Sequence, residues 1–302
     1  EVLLLAAALL FATPGRDASA GHPPPRPSPG GRSGAEAESL RILFTAETRG
    51  NLAPCACPSR PLGGLARRVA FLHSYRDRPG VLCLDVGGFL PQGEVRLPDS
   101  PEVAREYVEL LLDGMDTAGV RASALDFGER RFLDGITPEA MGRSGTRLLE
   151  ADPPGPAFVF AAHGRRIAIL ALEETSEDAL VRDAGAAARA RCDLLVVLAR
   201  ADAFTGRRLA RLARPDLVLL SRGARPEGLL MEGSVPLVGC GIEGREVGEV
   251  VLVLERDSHR ARVADWRLHA MDATQPEHPE FERRVRRLLA RGLASGIASA
   301  RE

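Results

Sequence analysis

The sequence predicts an α/β fold with mixed β-sheets, and three observations carry that prediction. From Leu40 onward, short apolar runs alternate with stretches of helical periodicity. The early apolar runs are continuous, as strands are when helices cover both faces of their sheet. The last two runs are longer and separated by Asp257-Ser258-His259, the pattern of an antiparallel hairpin. A folded part of roughly 230 residues lies within the single-domain range.

The chain of 302 residues opens on VLLLAAALLFA at 2–12, about the length of a signal-peptide core and too short to span a bilayer. Ala18-Ser19-Ala20 has the small-x-small form of a cleavage site. Residues 1–20 therefore read as a signal-peptide remnant, with a buried N-terminal helix as the alternative. Export to the periplasm or outside the cell would place the cysteines where disulfides form. Residues 21–39, rich in Pro, Gly and Ser without apolar period, read as a disordered linker.

Strands are expected at Arg41–Thr45, Val81–Asp85, Arg121–Leu125, Phe158–Ala161, Ile167–Leu172, Leu194–Leu198, Leu217–Leu220, Pro236–Gly239, Val247–Arg256 and Ala261–His269. Helices are expected at Gly64–Tyr75, Pro101–Ala118, Ser176–Arg189 and Phe204–Arg211. These define a domain over 40–272, followed at 273–302 by an amphipathic helix. Phe281, Val285, Leu288, Leu289 and Leu293 form its apolar stripe, opposite an Arg-rich face. Docking on the domain is the expectation; a helix lying on a membrane surface is the alternative.

Composition excludes several functions. A formal net charge of −1 gives no reason to expect nucleic acid or an anionic membrane as partner. All 40 basic residues are Arg, so a P-loop, a Schiff base and a Lys nucleophile are ruled out. With aromatics at 4%, a base-stacking platform is not expected.

Chemistry concentrates in ETRGNLAPCACPSRPLGGLARR, from Glu47 to Arg68, between the first strand and the first helix. In α/β proteins the loop leaving the carboxyl end of a strand is where sites are built. Cys55 and Cys57 lie there one residue apart, flanked by Pro54 and Pro58. Cys83 and Cys192 sit in or beside apolar runs and read as buried, inert thiols; Cys240 fits either role. For Cys55 and Cys57 three readings stay open. One is thiol redox, with nearby Arg49, Arg60, Arg67 or Arg68 lowering a thiol pKa. Another is a soft metal, which would need Cys240 or a His as a further ligand. The last is a structural disulfide.

Several segments together resemble the catalytic domain of the 5′-nucleotidase-like, UshA-type metallophosphoesterases. Arg41–Leu52, RILFTAETRGNL, is similar to that family's first strand and loop, which carries Asp-x-His before a Gly. Val81–Gly93, VLCLDVGGFLPQG, resembles its second strand, usually ending Gly-Asp. Leu125–Gly135, LDFGERRFLDG, resembles the segment built on Gly-Asn-His-Glu-Phe-Asp. Asp193–Ala201 and Asp216–Pro226 take the places of strands ending in a His and in Gly-His-x-His, and Val235–Val253 resembles the Gly-rich strand pair. The resemblance implies a layered sandwich of two mixed β-sheets flanked by helices.

It also implies a dinuclear metal site, and here the sequence departs from it. Glu47 and Arg49 stand at the first Asp and His, Gly88 at the bridging Asp, and Glu129 and Arg130 at the Asn-His pair. Arg200, Arg222 and Ala224 replace further His ligands, while His22, His73, His163, His259, His269 and His278 fall elsewhere. A guanidinium has no lone pair for a metal. The loop followed by PLGGLARR resembles a divergent branch, the UshA-like (seleno)proteins, whose paired-cysteine motif implies redox chemistry or soft-metal binding.

The expectation is thus an exported phosphoesterase-fold protein that has lost its metal ligands and needs no cofactor. It would act through Cys55 and Cys57 beside an anion cleft of Arg49, Arg130, Arg200 and Arg222, with Arg131 nearby. Glu47, Asp85 and Glu129 are candidates for support or for weak metal contact; the alternative for the Arg set is outward splay or pairing with these acids. Expected partners are a small anionic or phosphate-containing ligand and a thiol–disulfide partner protein. A residual metal-dependent phosphoric-ester hydrolase and a non-catalytic scaffold are the alternative functions.

Overall fold

A computed structural model describes residues 38–91, 96–136, 138–162, 164–222, 229–254 and 261–294. The apolar run at 2–12, the linker up to residue 37, the turn Asp257-Ser258-His259 and Ala224 lie outside the described residues.

In chain order the elements are β1 (Glu38–Thr45), α1 (Leu65–His73), β2 (Val81–Asp85), α2 (Pro101–Ala118), β3 (Val120–Leu125), α3 (Phe127–Ile136), α4 (Pro138–Arg143) and β4 (Arg147–Glu150). There follow β5 (Phe158–Ala162), β6 (Arg165–Glu173), α5 (Asp178–Arg189), β7 (Leu194–Arg200), α6 (Ala203–Ala213), β8 (Leu217–Leu220) and β9 (Leu230–Glu232). Last come β10 (Val235–Gly239), β11 (Glu246–Leu254), β12 (Ala261–Ala270) and α7 (Pro279–Ala294).

Two six-stranded sheets form, in the orders β12-β11-β1-β2-β3-β4 and β5-β6-β7-β8-β10-β9. Both are mixed: β1–β4 and β6, β7, β8 and β10 run parallel, while β11, β12, β5 and β9 pair antiparallel at the flanks. The strand period of two explains the layering. Leu40, Ile42 and Phe44 of β1 face the second sheet and meet Ile167, Val196 and Leu219 in the central core. Leu43 points the other way, onto Phe71 and Leu72 of α1. In the second sheet Leu170, Leu172 and Val197 lie beneath Val181 of α5 and Leu209 of α6. Strands buried on both faces must be apolar throughout, which is why these runs do not alternate.

α2 starts where Ser100 accepts from the Val103 N–H with Pro101 at the first position, and stops at Gly119 in the left-handed region. α7 buries Phe281, Val285 and Leu288 against Leu65 and Val69 of α1 and Leu110 of α2. Among the described residues no helix is long and apolar enough to cross a membrane.

The short strands β4 and β9 were not expected. Each has only three or four residues at or next to a sheet edge, too few to show a period.

Candidate functional site

The Cys loop is pinned at both ends. Pro54 and Gly63 form an isolated bridge, the Cys55 N–H donates to Leu62 O at 2.8 Å, and the Gly63 N–H donates to Met271 O at 2.8 Å. Arg60 pairs with Asp272 at 2.8 Å across the loop. This holds Cys55 half-buried and leaves Cys57 exposed, neither of them in a disulfide. Their sulfurs lie 2.9 Å apart and hydrogen-bonded, and the Leu62 N–H donates to Cys55 Sγ at 3.2 Å. Burial acts to raise the Cys55 pKa, but bonds from Cys57 and the Leu62 N–H, with the Arg245 charge, outweigh it and bring it down to about 7.

The other thiols differ. Burial pushes Cys83 up to about 12 and raises Cys192 and Cys240. Cys240 packs in the central core, which removes it as a further soft-metal ligand for the loop.

A second centre forms where the carboxyl ends of both sheets meet. Arg200, the last residue of β7, reaches Asp126 just past β3 at 2.7 Å, Glu129 of α3 at 3.0 Å and Glu173 at the end of β6 at 2.9 Å. Burial, which acts to lower its pKa, is outweighed by these carboxylates and by Glu47, so the guanidinium stays charged. Asp126 and Glu129 exchange bonds, Glu129 N–H to Asp126 Oδ1 at 2.7 Å and Asp126 N–H to Glu129 Oε2 at 3.2 Å, which caps α3. Burial, with Asp126 and Asp85 nearby, holds the Glu129 carboxyl up at about 7 despite Arg200.

Two glycines make room for this packing. Gly87 (φ +102°) and Gly88 (φ +72°) follow Asp85, both in the left-handed half of the map. A Cβ at Gly87 would lie 2.4 Å from Arg200 Nη1, and one at Gly88 would lie 2.8 Å from Glu47 Oε1. Asp85 is buried and accepts from Thr45 Oγ1 at 2.6 Å, Ser123 Oγ at 2.7 Å and the Gly87 N–H at 2.9 Å, while burial raises its pKa.

The expected anion cleft is corrected here. Arg49 lies 3.4 Å from Glu47, and Arg222 pairs with Glu174 at 3.2 Å and lies 3.6 Å from Glu173. Arg130 turns to the surface, to Asp134 at 3.1 Å and Glu150 at 3.0 Å, and Arg131 is exposed. Arg200 and Arg222 share Glu173. Their charges are met by carboxylates, so the four guanidiniums do not line a pocket open to an anion. Among the described residues no group of three or more His, Cys, Asp or Glu is placed to hold a metal ion.

Sequence reasoning missed Asp126, Glu173, Glu174 and Arg245. Asp126 with Glu129 spells a capping-box spacing, and Glu173 closes an apolar strand at its carboxyl end, so both carried a usable signal. It also undervalued Arg68, which is buried and donates to Asn51 O at 3.2 Å. Burial lowers Arg68 to about 10, beside a cavity of about 30 Å³ that Thr45, Thr48 and Asp85 also line.

No family model and no curated protein matches this chain. Among solved structures, a 5′-nucleotidase precursor from Thermus thermophilus aligns with a TM-score of 0.68 at 16% identity, over 85% of this chain and 59% of that one. A putative 5′-nucleotidase from Staphylococcus aureus in complex with alpha-ketoglutarate aligns with a TM-score of 0.63 at 13% identity, over 84% and 58%. The calcineurin-like phosphoesterase YfkN from Bacillus subtilis aligns with a TM-score of 0.60 at 12% identity, over 85% and 98%. The chain thus spans about three-fifths of the two nucleotidases and nearly all of the phosphoesterase. Likeness at these identities shows the fold, a metallophosphoesterase-like sandwich of two mixed sheets flanked by helices.

Proposed function

We propose that this chain is a metallophosphoesterase-fold protein whose dinuclear metal ligands are lost, and that it works by dithiol–disulfide exchange through Cys55 and Cys57. One observation carries the reading: a pair of sulfurs 2.9 Å apart, Cys57 exposed and Cys55 half-buried, of which Cys55 is brought down to about 7. A thiol ionised at ambient pH is the effective attacking group in such exchange.

The Cys55 thiolate attacks one sulfur of a partner disulfide. The other partner sulfur leaves as a thiolate and takes a proton. Cys57, losing its proton, then attacks Cys55 Sγ, which releases the second partner thiol and leaves a Cys55–Cys57 disulfide. Two electrons pass from this chain's dithiol to the partner. A further dithiol returns the pair to the reduced state.

The donor set around Arg200 supports the loss of the metals. The guanidinium contacts Asp126, Glu129 and Glu173, the carboxylates that a dication would otherwise draw on, and it would repel such an ion. A metal-dependent phosphoric-ester hydrolase therefore has the fold in its favour and the charge arrangement against it. Export, inferred from residues 2–12, would supply partners that carry disulfides.

The test is stoichiometry with an aromatic disulfide such as Ellman's reagent, on native protein under non-denaturing conditions. Exchange followed by closure releases two thiolates per chain and leaves no aromatic group on the native pair by mass spectrometry, whereas two separate mixed disulfides release two but retain two groups, a result that would overturn the reading. Cys57→Ser stops at the mixed disulfide and releases one. Loss of neither signal in a Cys55→Ser/Cys57→Ser variant, or hydrolysis of a phosphate ester dependent on added metal, would overturn the reading.

A further inference from the structure

A groove runs beside the stem of the Cys loop. Leu52, Ala53 and Pro54 form one side of it and Val285 and Leu289 of α7 the other, with Ala66 of α1 also lining a volume of about 240 Å³. The loop side is fixed in place. The Leu65 N–H donates to Leu52 O at 2.9 Å, Pro54 bridges to Gly63, and a Cβ at Gly64 would lie only 3.2 Å from the Pro54 ring. The helix side is held by Phe281 and Leu288, which α7 buries in the cluster it shares with α1 and α2. Leu289, 38% exposed, is left facing solvent beside them.

The charges of the groove are met within it. Arg67 pairs with Glu277 at 3.1 Å and Arg286 with Glu282 at 2.6 Å, and these four are its charged lining residues. Arg283 and Arg287 each follow a lining residue by one position, which at about 3.6 residues per turn rotates them toward solvent, where both are exposed. The groove also adjoins the thiols. Pro54 precedes Cys55, so their Cα atoms lie about 3.8 Å apart, and Arg67 donates to Pro61 O of the Cys loop at 3.1 Å. Extended backbone advances about 3.3 Å per residue. A chain bonded to Cys55 through sulfur thus has the groove within reach of residues up to about four positions from its own cysteine.

We propose that this groove receives an apolar side chain of the partner protein, carried within about four residues of the cysteine that exchanges with Cys55. The proposal rests on the exchange reading above and adds the partner's chemistry to it. Continuity assigns the occupant: during exchange the partner is held covalently at Cys55 Sγ, and the surface beside Pro54 is the surface it meets. An apolar side chain between Leu52 and Leu289 leaves water at that step, which favours the complex. A small anionic disulfide would find no unpaired cation among the described residues that line the groove.

Short synthetic peptides test it on the reduced full chain. Each carries a central Cys as its mixed disulfide with 5-thio-2-nitrobenzoate. One peptide has only Gly and Ser elsewhere, and in the others a single Leu replaces one residue at a stepped distance on either side of the Cys. The Cys55 thiolate attacks the peptide sulfur, the aromatic thiolate leaves with the electron pair of the broken S–S bond, and its absorbance reports the rate. Closure by Cys57 then releases the peptide thiol. Leu at one or two positions should speed exchange about ten-fold over the Gly/Ser peptide, the scale of burying one such side chain. That ratio should fall below about two-fold in Leu289→Ser and in Leu289→Asp, which remove the apolar contact. Each ratio is taken within one protein, so a change in overall thiol reactivity cancels. Equal rates for all peptides, an equal gain from Leu at every position, or a ratio kept in both variants would overturn the proposal and leave the exchange reading intact. So would a glutathione mixed disulfide of the same kind that outpaces the Leu peptides, or a native dimer that Leu289→Ser dissociates, which would give the groove to a second copy. Release of no aromatic thiolate by the native chain, from these disulfides or from Ellman's reagent, would overturn the exchange reading and this proposal with it.

Discussion

The Arg200 guanidinium lies 3.0 Å from the Glu129 carboxylate, and both side chains are buried at the junction of the two sheets. The contact runs from Arg200 Nη1 to Glu129 Oε2 and is an ion pair without hydrogen-bond geometry, since Nη1 has no hydrogen-bond partner. The pair sits in a site whose other carboxylates, Asp126 and Glu173, depend on the same cation.

Removing that cation should be costly. Arg200→Met leaves buried carboxylates uncompensated and is expected to lower stability by about 3–5 kcal/mol. Arg130→Ala, which removes only the surface pairs to Asp134 and Glu150, is expected to cost no more than about 1 kcal/mol. Urea unfolding of both variants checks the contrast, and equal effects would contradict it.

Glu129 sets a pH dependence of definite sign. An unfolded Glu titrates near about 4.3, whereas in the fold Glu129 is held up at about 7 by burial. Between these values the folded chain binds more protons than the unfolded one, so stability falls as pH rises through that window and then levels off. Asp85 and Glu173 are shifted in the same direction. The difference between native protein and Glu129→Gln isolates the Glu129 share: the variant should lose less stability between about pH 4.5 and 7. Parallel pH curves would contradict the assignment.

α7 should contribute to the core. Phe281 is 1% exposed against α1 and α2, so Phe281→Ala is expected to cost about 3–5 kcal/mol. Leu289, which stands partly in solvent, should tolerate Ala with a much smaller loss. Thermal unfolding of the two variants decides it.

How much of this was legible in the sequence differs by residue. The continuous aliphatic runs around Ile169, Val196 and Leu219 announce strands covered on both faces, because burial on both sides forbids alternation. The Cys55–Cys57 loop was locatable because it leaves the end of an apolar strand. The partners of Arg200 were not, since Glu173, Asp126 and Arg200 meet only through the strand order of two sheets. Arg130 was expected beside Arg200 and instead pairs outward, because one residue along the first turn of α3 changes the face on which a side chain emerges. The exposure of Phe127 and Phe204 could not be read from a sequence in which Phe44, Phe71, Phe89 and Phe281 are buried.

Thiol reactivity should separate the cysteines. Alkylation of Cys55 by iodoacetamide should follow an apparent pKa of about 7. Cys57→Ala removes a hydrogen bond to the sulfur and should move that value toward the free-thiol range of about 8.5, slowing reaction at pH 7 by up to about ten-fold. Cys83, buried and pushed up to about 12, should not react in the folded chain. A pH profile unchanged by the Cys57 substitution would show that the sulfur–sulfur contact does not set the Cys55 pKa.

The most direct test of the central claim is the reduction potential of the Cys55–Cys57 couple, measured by equilibration with glutathione buffers and metal analysis of the same sample. Dithiol–disulfide exchange predicts a reversible two-electron couple above about −300 mV in metal-free protein, the range of labile rather than structural disulfides. A couple below that value, or no Cys55–Cys57 disulfide at any poise, would contradict it.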